Sequence, residues 1–315
     1  MVSKMEIPFL VYLFKDAIWL MTPLFFAAIS EMLVEKSGVL NLSLEGIMLI
    51  SAFTAFAITL QFQNPYLGFL IGSLSGILIN IFFYVLFQLI GISQTLAGLS
   101  LTIFASGLTF FLFRMMIGYA ISPTPPLLKN TIGELAIPYL SDLPFIGIIF
   151  FRQNLFAYLL IPLLFFFYII DNSQIGLKIK TIGEEPAMAD SLGIDVYKYR
   201  LILIIIQGFL CGAAGSILTT SIYNTFLDNI TAGLGFIAIT MVILGGWNPI
   251  KTFISCFLFG FIYALQFRIQ MLGFTWLPYQ FTLSLPYVAT IIFLVLFGRR
   301  YKPPSSLGKT YKRIK

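Results

Sequence analysis

The chain has 315 residues, of which 59% are apolar and only 10% charged, with a mean hydropathy of +0.95. A soluble domain carries about 25% charged residues, so this composition excludes an ordinary globular protein and defines a polytopic helical membrane protein. The net charge of +6 does not indicate nucleic acid, because seven of the 19 basic residues crowd into the last 17 positions.

Those seven are Arg299, Arg300, Lys302, Lys309, Lys312, Arg313 and Lys315. A basic tail directly after an apolar run, here 299–315, marks a cytoplasmic C-terminus that meets anionic lipid. There is no histidine, which argues against a histidine metal site, a Ser-His-Asp triad and a histidine proton relay. Cys211 and Cys256 lie inside apolar runs and read as packing residues. The N-terminus continues straight into the first apolar run, so a cleaved signal peptide is not expected.

In chain order, the first expected span covers 10–33, interrupted by Asp16 and closed by Glu31, Glu35 and Lys36. The second, 38–62, carries Asn41 and Glu45. The third, 66–91, contains Gly68, Gly72 and Gly76, a spacing that lets helix backbones approach closely in lipid. The fourth, 93–117, opens on Ser93, Gln94 and Thr95. A loop over 118–154 holds Pro123, Pro125, Pro126, Pro138 and Pro144, which predicts extended connections and one interfacial helix. The fifth span is 155–170.

A charged island, 176–194, separates the fifth span from the sixth at 201–223. Pro186 suits the first turn of a helix, Glu184 and Glu185 favour its N-terminus, and Gly193 is placed to end it. Met188 and Leu192, four apart, would share a face, with Asp190 on another. That is the pattern of a plug for a soluble partner. The expectation is that this loop receives force from a separate ATPase.

The sixth span carries a small-residue seam from Gly208 to Ser216. After a polar stretch at 224–231 comes a short apolar segment, 233–246, readable as a short span or a half-helix. Segments 252–271 and 281–297 complete about nine crossings in one permease domain, 1–315, with the 172–200 loop inside. On that assignment 13 basic residues lie inside and six outside, in agreement with the positive-inside rule. Segment 37–50 also echoes 231–244, the kind of trace an inverted transporter repeat leaves.

Glu45 is the most provocative residue, since a carboxylate inside an apolar helix is expensive unless paired or wet. Four residues after Asn41, it would share a helical face with it. The two either line a polar pathway or stabilise a broken helix, or they lie near the cytoplasmic end and bond to Lys36 or a neighbouring helix. Gln94, Thr95, Gln207, Asn224, Asp228 and Asn229 are further polar residues near span ends, able to bond a neutral solute such as a nucleoside or sugar. The 34 Phe, 15 Tyr and 3 Trp should mostly face lipid or packed helices, and no single ring stands out. Gly308-Lys309-Thr310 lacks the preceding glycine and strand of a phosphate-binding loop. The chain is therefore not expected to be an enzyme.

Three motifs in order resemble the permeases of bacterial ABC importers for nucleosides and simple sugars, in the superfamily of ribose and branched-chain amino-acid permeases. They are Ser37-Gly38-Val39-Leu40-Asn41-Leu42 with Glu45-Gly46-Ile47-Met48; Gly183-Glu184-Glu185-Pro186 with Ala189-Asp190 and Gly193-Ile194; and Thr231-Ala232-Gly233 with Gly235-Phe236-Ile237-Ala238, followed by Gly246-Trp247-Asn248-Pro249. The family usually has Asn where this chain has Glu185, and a smaller residue at Met188.

The resemblance implies a subunit of the bacterial cytoplasmic membrane, most similar to the shorter nucleoside-type permease. It implies three partners: a second related permease in a heterodimer, a cytoplasmic ABC ATPase that binds ATP and Mg, and an extracytoplasmic substrate-binding lipoprotein. Gly183 to Pro186, Met188 to Asp190, Leu192 and Gly193 would form the ATPase-coupling segment. The chain itself is expected to bind no cofactor and no metal. A sugar permease is the first alternative. A secondary transporter using Glu45 or Asp228 as its ion site is the second, and a membrane enzyme is the least supported, for want of a carboxylate cluster or nucleophile–base pair.

Overall fold

The computed structural model describes residues 3–118, 125–271, 278–298 and 301–312. Pro123, Arg299, Arg300, Arg313 and Lys315 lie outside the described residues.

Helix α1 is Ser3–Lys36 and α2 is Leu44–Phe62. Helix α3, Pro65–Tyr84, continues through a widened π turn at Val85–Ile90, and α4 is Gln94–Ile117. Two three-residue strands, β1 (Glu134–Ala136) and β2 (Arg152–Asn154), pair antiparallel around the short helix α5, Ile146–Phe150. Next come α6 (Leu155–Tyr158) and α7 (Leu160–Asp171), followed by α8 (Gln174–Glu184) and α9 (Pro186–Ser191). Helix α10, Val196–Ile217, ends in a second π turn at Leu218–Ile222. The set closes with α11 (Leu234–Leu244), α12 (Pro249–Met271) and α13 (Tyr279–Phe297).

Local chemistry sets several of these boundaries. The Asn64 side chain accepts from the Tyr66 and Leu67 amides ahead of Pro65. Ser93, Ser173 and Asp195 do the same for α4, α8 and α10. Each satisfies amides that would otherwise lack a partner at a helix start.

Seven described helices are long and apolar enough to cross a membrane, and eight if Leu155–Asp171 and Gln174–Glu184, bent by 69°, count as one. The protein is an all-α polytopic membrane protein. The nine expected crossings differ at α11, whose 11 residues span about 16 Å, roughly half of a ~30 Å hydrocarbon core. Helix α1 starts earlier than the expected 10–33. The second helix starts at Leu44 rather than at 38, because 37–43 is an irregular break.

Helix α1 is the axis of the bundle: 83% of its most apolar window is buried, against 17% for α13 at the periphery. The glycine seams bring α2, α3 and α10 together. A Cβ on Gly76 would lie 2.3 Å from the Gly208 carbonyl oxygen, one on Gly212 2.7 Å from that of Ser73, and one on Gly215 2.1 Å from that of Met48. These are backbone atoms, which cannot swing aside. Gly76→Val should therefore cost on the order of 1–3 kcal/mol by forcing α3 off α10. Gly107, with nothing within 4 Å, should accept Ala without loss. Thermal unfolding of the two variants in detergent checks the pair.

Candidate functional site

The break at 37–43 lies at the centre of two polar clusters. Gly38, at φ +82, turns the chain out of α1 and hands it to Asn41. The Asn41 amide nitrogen donates to Asn80 Oδ1 (2.7 Å) and Gln207 Oε1 (2.8 Å). Its Oδ1 accepts from the Ser43 amide (2.9 Å) and hydroxyl (2.5 Å). Both donors and both acceptor positions of the side chain are thereby used. Glu31 closes the cluster, accepting from the Asn41 backbone amide (3.1 Å) and from the Gln207 amide. All five residues are fully buried.

Asn41 is therefore not on a helix, and the expected shared face with Glu45 does not exist. Glu45 sits in the first turn of α2 and reaches the other interrupted segment. Its Oε1 accepts from the Thr231 hydroxyl (2.5 Å) and the Gly233 amide (2.8 Å), and its Oε2 from the Gly235 amide (2.8 Å). A carboxylate thus caps the start of α11, where the helix dipole favours it. The two segments that echo each other in sequence touch: a Cβ on Gly235 would fall 2.4 Å from the Glu45 nitrogen. Lys36 does not serve Glu45. Its ammonium pairs with Asp171, which Lys180 also holds at 3.0 Å.

The second cluster lies below the break, at the end of the bundle where α1 stops. The Pro186 helix is α9, with Pro186 in its first turn, and it ends in a Schellman turn. Gly193 (φ +82) donates to Asp190 O (3.0 Å) and Ile194 to Ala189 O (3.0 Å). Ala189 is buried with Ile182 and Val196. Met188 and Leu192 are 55% and 70% exposed, so the outward face of α9 is apolar and open. Glu185 is exposed at the α8–α9 joint, and Glu184 accepts from the Ser305 hydroxyl at 2.5 Å. Gly183 packs on the end of α1, where a Cβ would meet Lys36 O at 2.0 Å.

The remaining pathway candidates are scattered. Gln94 is fully buried beside the lower cluster, its Oε1 accepting from the Leu40 amide at 2.7 Å. Thr95 is exposed on the first turn of α4. Asn224 and Asn229 belong to the irregular 223–233 stretch, both with positive φ (56° and 58°). Asn224 Oδ1 is buried without a hydrogen bond among the described residues, and Asp228 pairs with Arg114 at 3.3 Å.

Several residues were not singled out from sequence. Arg200, fully buried, donates to Ser37 O from Nε (3.2 Å) and Nη2 (3.1 Å), and to Gln88 Oε1 from Nη1 (3.1 Å). Asn80, an amide in an apolar run, could have been flagged by the argument that flagged Glu45. Near the α11 start, the Tyr287 hydroxyl donates to Ala232 O (2.9 Å), and the Tyr223 and Tyr263 hydroxyls lie 3.3 Å apart. No sequence signal separates these three rings from the rest.

Fold and site together define a membrane permease with interrupted helices meeting inside the bundle and a short helix with an exposed apolar face at one end. Residues 14–298 match the family described as the permease component of the branched-chain amino acid transport system, and the chain belongs to that family. Among its relatives, the nucleoside ABC transporter permease protein NupC of Lactococcus lactis subsp. cremoris is 34% identical, covering 93% of this chain and 94% of its own length. The guanosine ABC transporter permease protein NupQ of Bacillus subtilis is 32% identical, with 92% of each chain covered. A putative glucose ABC transporter permease protein, TsgC13, of Haloferax volcanii is 34% identical over 80% of this chain and 76% of its own. No solved structure gives a match. As a family member, the chain is the permease component of a transport system.

Proposed function

We propose that this chain is the permease subunit of an ATP-driven importer that moves nucleosides across the bacterial cytoplasmic membrane. The observation that carries the mechanism is α9: a helix with an exposed apolar face, fixed through Gly183 to the end of α1 beside the break. The two nucleoside relatives, each matched over more than nine-tenths of its length, favour the substrate class. A cytoplasmic ABC ATPase, holding ATP and Mg, would dock on Met188 and Leu192. A second related permease would complete the membrane pore, and a binding lipoprotein would deliver solute from outside. The C-terminus would then be cytoplasmic.

In alternating access, ATP shifts the equilibrium only if the two states differ in their contacts with the ATPase and binding protein. Closure of the ATPase pair would displace α9, and Gly183 would pass that motion to the α1 end. The break would pivot, and Asn41 and Glu45, already bonded to α3, α10 and α11, would carry it into the interior. Asn41 and Glu45 support the pathway: the Asn41 side chain has all its donors and acceptor positions used, and Glu45 is turned onto the start of α11 by three donors. Glu45 engaged by three donors and Asp228 held by Arg114 disfavour an ion-coupled secondary transporter.

The test is uptake of labelled nucleosides, ribose and glucose into proteoliposomes holding the chain and its co-purifying partners, with ATP sealed on the α9 side. Nucleoside uptake that needs ATP is the expected result. ATP-dependent sugar uptake, the second reading supported by the Haloferax relative, would keep the class and change the substrate. Uptake driven by an ion gradient alone would overturn the proposal.

A further inference from the structure

The tail beyond α13 does more than carry charge. From Ser305 to Tyr311 it crosses the α9 end of the bundle and bonds to five elements in turn. The Ser305 hydroxyl donates to Glu184 at 2.5 Å. Ser306 donates to Gly183 O from its backbone amide (2.9 Å) and its hydroxyl (2.6 Å). The Gly308 amide donates to Gly38 O (3.2 Å). Lys309 O accepts from Gln94 (3.3 Å), and Tyr311 O from Gln88 (2.8 Å). The Tyr311 hydroxyl returns to α9, donating to Asp190 at 3.0 Å.

Two features distinguish this from a tail resting on a surface. Ser306 is buried in a socket made by Gly38, where a Cβ would come within 2.2 Å of its hydroxyl. The lysines of the same stretch, Lys302, Lys309 and Lys312, stay exposed, so the packed groups are the neutral ones. The contacts also join the right parts. Helix α9 has only six residues, and beside Gly183 and the α10 route through Val196 and Arg200 this stretch gives it a further link to the Gly38 break.

We propose that residues 301–312 are a strap that positions the coupling helix, clamping α8 and α9 to the break at 37–43 so that the three move as one body. The proposal rests on the reading that α9 receives the ATPase's motion. Ser306 and Tyr311 are its positioning residues: they touch neither solute nor nucleotide, and act through Gly183, Gly38 and Asp190.

The experiment uses the whole transporter in proteoliposomes and records ATP hydrolysis and solute uptake together. Ser306→Ala with Tyr311→Phe should keep the ATPase bound and hydrolysing near the wild-type rate, while uptake per ATP falls by about fivefold or more, the scale of a typical coupling energy. Ser306→Thr, which keeps the hydroxyl, should recover most of the coupling in a Tyr311 background. Unchanged uptake per ATP in the double variant would overturn the strap.

A second variant covers the case in which the first fails to assemble. Glu184→Cys with Ser305→Cys allows the strap to be locked to α8, and the native Cys211 and Cys256 are buried and should not compete. Because strap and helix move together, the oxidised and reduced forms should transport alike. A loss on oxidation that reductant restores would show that the strap must detach, and would refute the proposal. If the wild type shows no ATP-driven uptake, the reading beneath the strap has failed. If the wild type couples and the double variant couples equally, only the strap has.

Discussion

Glu45→Ala is expected to abolish uptake and to cost roughly 3 kcal/mol or more of stability, since it removes three hydrogen bonds to one acceptor group and leaves two buried donors, on Thr231 and Gly235, and the half-buried Gly233 amide without it. The loss falls where it is least tolerated. Helix α11 has 11 residues, too few to hold itself, and Glu45 is the side-chain acceptor its first turn relies on. Glu45→Gln keeps the shape but replaces one acceptor oxygen with a donor. Facing the Gly235 amide, that nitrogen would set donor against donor and orphan an amide, at about 1–3 kcal/mol. The expected order of thermal stability in detergent is wild type, then Gln, then Ala, with uptake following the same order. A Gln variant with wild-type melting and wild-type uptake would show that the cap is dispensable. Full stability with lost uptake would place Glu45 in the solute path instead.

Much of the bundle was legible because lipid imposes simple rules. Apolar runs of span length, the glycine spacing at 68, 72 and 76, and the Pro186–Gly193 punctuation each express a local constraint that tertiary packing did not override. Segment ends were less legible. Apolar content continues smoothly from 38 into α2, yet Gly38 takes a positive φ and the chain stays irregular as far as Ser43, because Asn41 bonds across to α3 and α10. That break is a non-local event. Period and hydropathy do not contain it, which is why Asn41 and Glu45 were expected on one helical face.

The same limit separates the two halves of the candidate site. Met188, Leu192 and Gly193 announce α9 by their own spacing. The residues that fasten α9 do not: Ser305, Ser306 and Tyr311 lie in a basic tail whose charge gives an obvious reason to place it against lipid. Its backbone and hydroxyls decide its position, and composition is blind to both. Arg200 was counted for its charge on the inner side, and its burial against a carbonyl 163 residues away leaves no mark in the sequence.

Arg200→Met carries the second large effect. The guanidinium is fully buried, and three of its N–H groups go to Ser37 O and Gln88 Oε1. A positive group at the end of α1 also opposes the negative end of that helix dipole. A well-packed apolar substitute can be neutral when it replaces every member of a buried polar set. Here it replaces one, and each acceptor left behind costs about 1–3 kcal/mol, for a loss on the order of 2–5 kcal/mol. Arg200→Lys should fall between, since one ammonium cannot reproduce the planar fork that reaches both acceptors. Arg200→Met with Gln88→Leu removes a second polar partner, and should recover part of the melting temperature lost in the single variant. It should not recover uptake per ATP, because Ser37 would still lack the donors that fix the break to α10 and Tyr311 O would lose its Gln88 donor as well. Recovery of both together would mean that Arg200 matters for packing alone and that motion reaches the break by another route.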